Sequence, residues 1–148
     1  MKKFSMLSIL FIFIAITAYA DSSRIQNPSN GHWYQRFDTT MTWHEAKAYC
    51  ENIGGYLATV TSQDENDFLC NNFTGGGSQQ LCWLGATDEE QEGVWKWVTN
   101  EEWGYTNWAC DDLTCEPNNC TGIEHYLMLY LSPQGGEKGS GLAILQIE

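Results

Sequence analysis

Residues 42–60 read TWHEAKAYCENIGGYLATV, and this stretch predicts a helix followed by a short extended segment. Thr42 and Glu45 have the spacing of a capping box, which marks a helix N-terminus. Apolar residues at helical spacing predict the buried face of the helix: Trp43, Ala46, Cys50 and Ile53. The Gly54-Gly55 pair is a stop signal. Residues 56–60, which are mostly apolar, predict the extended segment.

The rest of the chain predicts a second helix and several strands around one long loop. Ser62 and Glu65 repeat the capping-box spacing, and Phe68 and Leu69 predict the buried side of that second helix. Short apolar runs predict strands at 82–85, 94–98, 126–131 and 142–147. Residues 99–121 have no periodicity, and a loop of that length inside a domain is usually functional or disordered. The sequence therefore predicts an α+β fold with a long functional loop.

The first twenty residues have the pattern of a secretory signal peptide. Lys2 and Lys3 precede an apolar run, and Ala18-Tyr19-Ala20 is a small-x-small cleavage site. The alternative is a single membrane anchor, for which the apolar run is short. We expect cleavage after Ala20, a single domain over residues 21–148, and a secreted or extracellular location, periplasmic if the source is bacterial.

Residues 21–148 are strongly acidic. Nineteen acidic residues against five basic ones leave a formal charge of −14. This charge argues against nucleic acid and anionic membranes as partners. It is typical of a surface that divalent cations neutralise in part, although an acidic face that only keeps the protein soluble explains it as simply.

Six cysteines in an exported chain predict disulfides, and six allow fifteen pairings. Cys110, Cys115 and Cys120 cluster in the long loop, where disulfides would hold it in place. Cys70 and Cys82 flank a glycine-rich segment and are our expectation for another bridge. The alternative for the loop cysteines is a zinc site with His125, but their spacing of five does not match the short pairs of structural zinc sites.

The loop contains Glu116-Pro117-Asn118-Asn119, followed by Glu124. Glutamate and asparagine offer side-chain oxygens, which are the ligands that Ca²⁺ selects. A bond preceding proline can be cis, which turns its neighbours toward one point. The alternative is an ordinary turn, because Pro-Asn-Asn is a common turn sequence. In this context we predict a calcium site.

The order of short motifs along the chain is more specific than any one of them. The motifs are Trp43-x-x-Ala46-x-x-Tyr49-Cys50, Gly55-Tyr56-Leu57-Ala58, Glu65-x-x-Phe68-Leu69, Trp83-Leu84-Gly85, Glu92-Gly93-x-Trp95-x-Trp97, Asn107-Trp108 and Glu116-Pro117-Asn118-Asn119. With this order the chain resembles the C-type lectin-like domain from about Gly31 to Glu148. The resemblance implies two helices flanking small antiparallel sheets and a long loop that carries a sugar site.

The resemblance also implies what the loop binds. Glu116, Asn118 and Glu124 match the residues that hold one Ca²⁺ and a sugar in the sugar-binding members. Two neighbouring sugar hydroxyls would complete the calcium shell, each accepting from an Asn amide and donating to a Glu carboxylate. The Glu-Pro-Asn order is associated with glycans of the mannose, fucose or N-acetylglucosamine type.

An accessory calcium site of the family matches four positions of this chain: Asp88, Glu92, Asn119 and His125. Two of these four lack a carboxylate, and imidazole is a poor ligand for a hard ion. We therefore expect Asp88, Glu92 and Asn119 to hold Ca²⁺ weakly or not at all.

The chain departs from the family pattern after Glu124. A Trp-Asn-Asp segment normally supplies the remaining calcium ligands, and residues 131–138 here read LSPQGGEK. The usual partner of Cys50 lies in the last strand, where this chain has Leu145 or its neighbours. Two functions therefore compete: a calcium-dependent lectin of the mannose type, with oligomers adding avidity, and a calcium-independent protein-binding module on the same fold.

An enzyme is the third class considered. Glu116 and Glu124 would be the acid and base of a glycosidase. If both carboxylates hold a cation, neither is free to transfer protons, so we predict no enzymatic activity. Among the tryptophans, most are expected in the core, and Trp103 and Tyr105 are the candidates for a surface that stacks on sugar.

Overall fold

The computed structural model describes residues 23–73, 81–110, 115–119, 122–130 and 141–147. These residues contain one sheet and two helices. In chain order the elements are β1 (Ile25–Gln26), β2 (Trp33–Met41), α1 (Trp43–Asn52), β3 (Tyr56–Leu57), α2 (Gln63–Phe73), β4 (Leu81–Thr87), β5 (Lys96–Trp97), β6 (Tyr126–Tyr130) and β7 (Gly141–Ile147). The strand order is β1-β2-β7-β4-β5, with β3 paired to β7 and β6 to β4. All pairs are antiparallel except β4 with β7. The predicted α+β fold is confirmed.

Helix α1 begins as its sequence predicts. The Thr42 hydroxyl accepts from the Glu45 N–H at 3.3 Å, and the Glu45 carboxylate accepts from the Thr42 N–H at 2.9 Å. The helix buries Trp43, Ala46 and Cys50. The prediction for Ile53 is wrong: it caps the helix C-terminus and is 43% exposed. The helix stops there because Gly54, at φ 87°, turns the chain away.

Removing this cap is expected to destabilise the domain. Thr42→Ala deletes the acceptor for the Glu45 N–H and should lower the free energy of unfolding by about 1 kcal/mol. Thr42→Ser keeps the hydroxyl and is the matched control. Urea denaturation at pH 7 measures both. A Thr42→Ala midpoint equal to that of Thr42→Ser would contradict the role of the cap.

The cap also makes stability depend on pH. Hydrogen bonds from the Thr42 backbone and side chain lower the pKa of Glu45. A lowered pKa in the folded state contributes stability above the unfolded pKa, and this contribution is lost as the pH falls through the folded pKa.

Helix α2 has half of the predicted capping box. The Ser62 hydroxyl accepts from the Glu65 N–H at 3.2 Å, but the Glu65 carboxylate turns into the core. There it accepts from the Thr61 N–H at 2.8 Å, from the Asn30 amide at 3.0 Å and from the Tyr34 hydroxyl. Burial, and then the hydrogen bond to Glu65, raise the pKa of Tyr34. Glu65 therefore fastens α2 to the residues before and within β2.

Strand β2, which pairs along most of its length with β7, was not predicted from the sequence. One of its buried residues is Arg36, whose exposed fraction is 8%. The Arg36 guanidinium donates to Asp38 Oδ1 at 2.6 Å and to the Phe73 carbonyl. A charged residue at a core position hides the strand pattern, because buried arginine needs partners that are distant in sequence.

Strand β4 lies at the centre of the core, with its residues Leu81 to Ala86 all buried. Trp83 packs with Trp43 in one hydrophobic cluster, whereas Cys82 and Leu84 pack in the other. Alternate side chains of a strand point to opposite faces, so β4 connects the two halves of the core. The predicted strand 94–98 is shorter, with only Lys96–Trp97 paired.

Most tryptophans belong to the core, as predicted. Trp103 and Tyr105, predicted as surface residues, are also packed against it. The Trp103 ring lies 4.9 Å from the Trp97 ring, between centroids, and the Tyr105 hydroxyl donates to Gln63 Oε1 at 3.0 Å. Both are half-buried, so each keeps part of its surface exposed while it packs on the core.

The cysteines confirm one prediction and correct another. Cys110 and Cys115 form a disulfide within the loop, which also excludes the loop-cysteine zinc site. The predicted Cys70–Cys82 bridge is wrong, since both are free thiols. Burial raises the pKa of Cys82 to about 12, so this thiol stays protonated at neutral pH. Cys120 lies outside the described residues.

The predicted signal peptide and the divergent segment 131–138 also lie outside the described residues. Within the part of the chain that the structure describes, no helix has the length and apolar character needed to cross a membrane.

Candidate functional site

Pairing of β4 with β6 builds the first part of the site. Thr87 pairs with Tyr126, so the residues just outside the two strands, Asp88 and His125, are neighbours. The Asp88 N–H donates to the His125 carbonyl at 3.2 Å, and Asp88 Oδ1 lies 3.1 Å from His125 Nδ1. The Asp88 side chain is only 2% exposed and that of His125 is 27% exposed. The sheet therefore holds a buried carboxylate against an imidazole.

A turn after β4 brings Glu92 to the same place. The Asp88 carbonyl accepts from the Gln91 N–H at 3.0 Å, and Asp88 Oδ2 accepts from the Gly93 N–H at 2.8 Å. Gly93 has φ 75°, a conformation that glycine adopts readily. Glu92 Oε2 then lies 3.6 Å from His125 Nδ1. One ligand atom from each of Asp88, Glu92 and His125 lies within 4.8 Å of the others, and we call these three residues the Asp88 cluster.

The Glu-Pro-Asn segment forms the second part. The Glu116–Pro117 peptide is cis. The Asn118 N–H donates to Glu116 Oε2 at 3.1 Å, and the Asn118 amide donates to Glu116 Oε1 at 3.0 Å. Glu116 is half-buried and Asn118 is exposed. The carboxylate and the amide therefore lie together at the surface, as the sequence predicts.

Asn119 connects the two parts. Its Oδ1 accepts from the Glu124 N–H at 3.0 Å, and its Nδ2 donates to Glu92 Oε2 at 2.5 Å. Asn119 has φ 42°, in the left-handed region that asparagine tolerates better than most residues. One side chain thus holds the backbone of Glu124 and the carboxylate of Glu92. We refer to Glu116, Asn118 and Glu124 as the Glu116 group.

The loop that carries the Glu116 group is fixed by contacts of the residues that precede Glu116. The Glu116 N–H donates to the Ala109 carbonyl at 2.9 Å, and the Cys110–Cys115 disulfide closes the same stretch. Two residues before Cys110, the Trp108 ring lies 5.3 Å from the Trp95 ring, between centroids. Aromatic packing and the disulfide together hold this part of the loop.

Two residues have roles beside the site that were not expected from the sequence. Trp43 stacks on Tyr126 at 5.0 Å and 24°, directly beside His125. Gly93 supplies the N–H that orients Asp88. A signal for Gly93 exists, because glycine after several polar residues marks a turn; Trp43 gives none, since its partner lies far away along the chain.

Comparison with known proteins decides the family. The model of the Lectin C-type domain matches residues 39–130, which is more than half of the chain. The chain belongs to the C-type lectin domain family. It is 34% identical over 104 residues to perlucin of Haliotis laevigata, covering 70% of this chain and 63% of perlucin. The chain therefore spans less than two thirds of that relative's length.

Solved structures agree on the fold. The C-type lectin CEL-I of Cucumaria echinata superposes with a TM-score of 0.68 at 24% identity, covering 78% of this chain and 89% of CEL-I. A calcium-independent type II antifreeze protein superposes with a TM-score of 0.64 at 20% identity, covering 85% and 96%. These likenesses confirm the predicted C-type lectin-like fold. The family match supports carbohydrate binding in general, and this family is one of lectins and not of enzymes.

Proposed function

We propose that this chain is a secreted, calcium-dependent lectin that binds sugars of the mannose type through the Glu116 group. The observation that carries the proposal is the meeting of Glu116 and Asn118 across a cis peptide, with both carboxylate oxygens within 3.1 Å of nitrogen atoms of Asn118. Membership of the lectin family supports sugar as the ligand.

The residues of the Glu116 group fit calcium chemically. Glu116 and Glu124 offer carboxylate oxygens and Asn118 an amide oxygen, and Ca²⁺ prefers such ligands. When bound, the ion would accept two neighbouring sugar hydroxyls. The formal charge of the whole chain, −12, favours a cation at the surface. Asn119 supports the arrangement by holding the Glu124 backbone.

The proposed preference comes from hydrogen bonding. Each hydroxyl on the metal would accept from an Asn amide and donate to a Glu carboxylate. In the order Glu-Pro-Asn this polarity corresponds to mannose, fucose or N-acetylglucosamine glycans. A shallow site for one sugar binds weakly, so clustered sites or glycans, for example in an oligomer, would raise the avidity.

Calorimetry with mannose and galactose tests the proposal. We expect mannose to bind in calcium and to lose all measurable affinity in a chelator. Glu116→Gln alone should reduce mannose affinity at least about tenfold, because it removes a charged acceptor. Glu116→Gln with Asn118→Asp should shift the preference toward galactose.

Glu51→Gln is the control for lost surface charge, since Glu51 pairs with Lys47 on helix α1. Its mannose affinity should equal that of the unmodified protein. Binding that survives the chelator, or no binding of any monosaccharide, would overturn the proposal.

A second candidate is a calcium-independent protein-binding module. One observation favours it: Ile123, directly before Glu124, is 74% exposed, and a large apolar side chain there is suited to a protein contact. The solved antifreeze protein described as calcium-independent has the same fold. Under this candidate, Ile123→Ser would abolish partner binding and chelators would not.

A further inference from the structure

The Asp88 cluster has the donor atoms of a metal site that differs from the Glu116 group. Asp88 Oδ1 and Glu92 Oε2 lie 3.1 and 3.6 Å from His125 Nδ1. The structure describes one such grouping of three His, Cys, Asp or Glu side chains among its placed residues. Two carboxylates facing one imidazole are a mixed oxygen and nitrogen donor set, which transition metals accept.

The orientation of Asn119 makes this cluster unsuitable for calcium. A backbone N–H can only donate, so Asn119 must present Oδ1 to Glu124. Its amino group is thereby directed at the Glu92 carboxylate, at 2.5 Å. Asn119 offers the cluster a hydrogen-bond donor and no oxygen. Calcium needs six to eight oxygen ligands, and two carboxylates with an imidazole do not supply them.

We propose that the Asp88 cluster binds Zn²⁺, with Asp88 Oδ1, Glu92 Oε2 and His125 Nδ1 as ligands and one open position. Zinc bonds of 2.0–2.2 Å give a tetrahedral edge of about 3.3–3.6 Å. Of the two distances from His125 Nδ1, 3.6 Å lies at the upper end of that range and 3.1 Å is slightly below it. These two distances need to change by only a few tenths of an ångström, and the Asp88 and Glu92 oxygens already lie within 4.8 Å of each other.

The Asp88 side chain is preorganised as a metal ligand. Its side chain is 2% exposed, and Oδ2 is occupied by the Gly93 N–H. The remaining oxygen, Oδ1, faces His125. A ligand carboxylate that is held by such a hydrogen bond binds metal with little loss of freedom. Glu92 is 59% exposed, so the ion has a route from solvent.

Zinc here would also stiffen the sugar-binding loop. The ion would join the turn after β4 to the residue before β6, and Asn119 extends this connection from Glu92 to the Glu124 backbone. The proposal does not depend on the function of the Glu116 group, because it uses other ligand atoms and another ion.

Titration of Zn²⁺ into the full chain, without sugar, tests the site. We expect one zinc ion per chain that millimolar Ca²⁺ does not displace. His125→Ala and Glu92→Gln should each weaken zinc binding at least about tenfold, since each removes a ligand. His125→Asp should lower the zinc affinity and allow Ca²⁺ to compete for the site, because it replaces a nitrogen ligand with a hard oxygen ligand.

His44→Ala is the matched control. His44 is an exposed histidine that lies 3.6 Å from a single carboxylate, that of Glu89. Its loss should leave zinc affinity unchanged. Equal zinc affinity in His125→Ala and His44→Ala, or displacement of zinc by Ca²⁺ from the unmodified chain, would overturn the proposal. Glu92 is exposed, so Glu92→Gln remains folded and tests the site independently. Calcium-dependent mannose binding can fail without affecting any of these outcomes.

Discussion

Gly85→Ala is expected to lower the free energy of unfolding by about 3 kcal/mol. A Cβ at Gly85 would lie 2.4 Å from the Leu57 carbonyl oxygen and 2.8 Å from Val98 Cγ2. The strand cannot move away, because the Gly85 N–H donates to the Ala58 carbonyl at 2.8 Å and its own carbonyl accepts from the Val98 N–H at 2.7 Å. A single methyl group would therefore separate β3 from β4.

Urea denaturation followed by tryptophan fluorescence measures this effect. Gly104→Ala is the matched control, because a Cβ there meets no atom within 4 Å. It should unfold at the midpoint of the unmodified protein, within about 0.5 kcal/mol. Unfolding of both alanine variants at the same urea concentration would show that the close approach of the Leu57 backbone to Gly85 does not require a glycine there.

Trp43→Ala is expected to cost about 3–5 kcal/mol, the usual range for loss of a buried tryptophan. Trp43 is 4% exposed, and its Nε1 donates to the Leu84 carbonyl at 2.8 Å. Its ring also stacks on Tyr126 at 5.0 Å. The substitution would leave a cavity and a buried carbonyl without its donor, and both terms act in the same direction.

Two further variants separate these terms. Trp43→Phe keeps an aromatic ring and loses the donor, so its cost should be smaller than that of alanine but still measurable. Trp33→Ala is the control, because Trp33 is 39% exposed and its loss should be worth less than about 1 kcal/mol. Since Tyr126 begins β6 beside His125, we also expect Trp43→Ala to weaken zinc binding, whereas Trp33→Ala leaves zinc binding unchanged. A Trp43→Ala variant as stable as Trp33→Ala would contradict this account.

Prediction from sequence succeeded where the cause is local. The Thr42–Glu45 cap is confirmed because both partners lie within one turn. The Glu116–Asn118 contact is also within three residues, and the peptide bond between Glu116 and Pro117 is cis, a conformation that proline permits. The Ser62–Glu65 box failed in part, since the Glu65 carboxylate found buried partners elsewhere in the fold.

Prediction failed where distant residues decide. Strand β2 was missed because Arg36 is buried by partners that include Phe73, on another element. Trp103 lies in a polar loop and was predicted at the surface; it is half-buried, because its ring packs on Trp97. The Cys70–Cys82 bridge was suggested by chain spacing alone, and both residues are free thiols.

By itself the sequence determined the α1 cap, the apolar strands and the family, because these depend on residue type and short spacing, and on the same basis it nominates the oxygen-bearing residues of the Glu116 group. Only the tertiary structure decided that Asp88 and His125 meet, through the pairing of Thr87 with Tyr126. It also decided which end of the Asn119 amide faces Glu92. The first depends on strand register, which no local pattern records. The second depends on a contact between Asn119 and Glu92, which lie 27 residues apart.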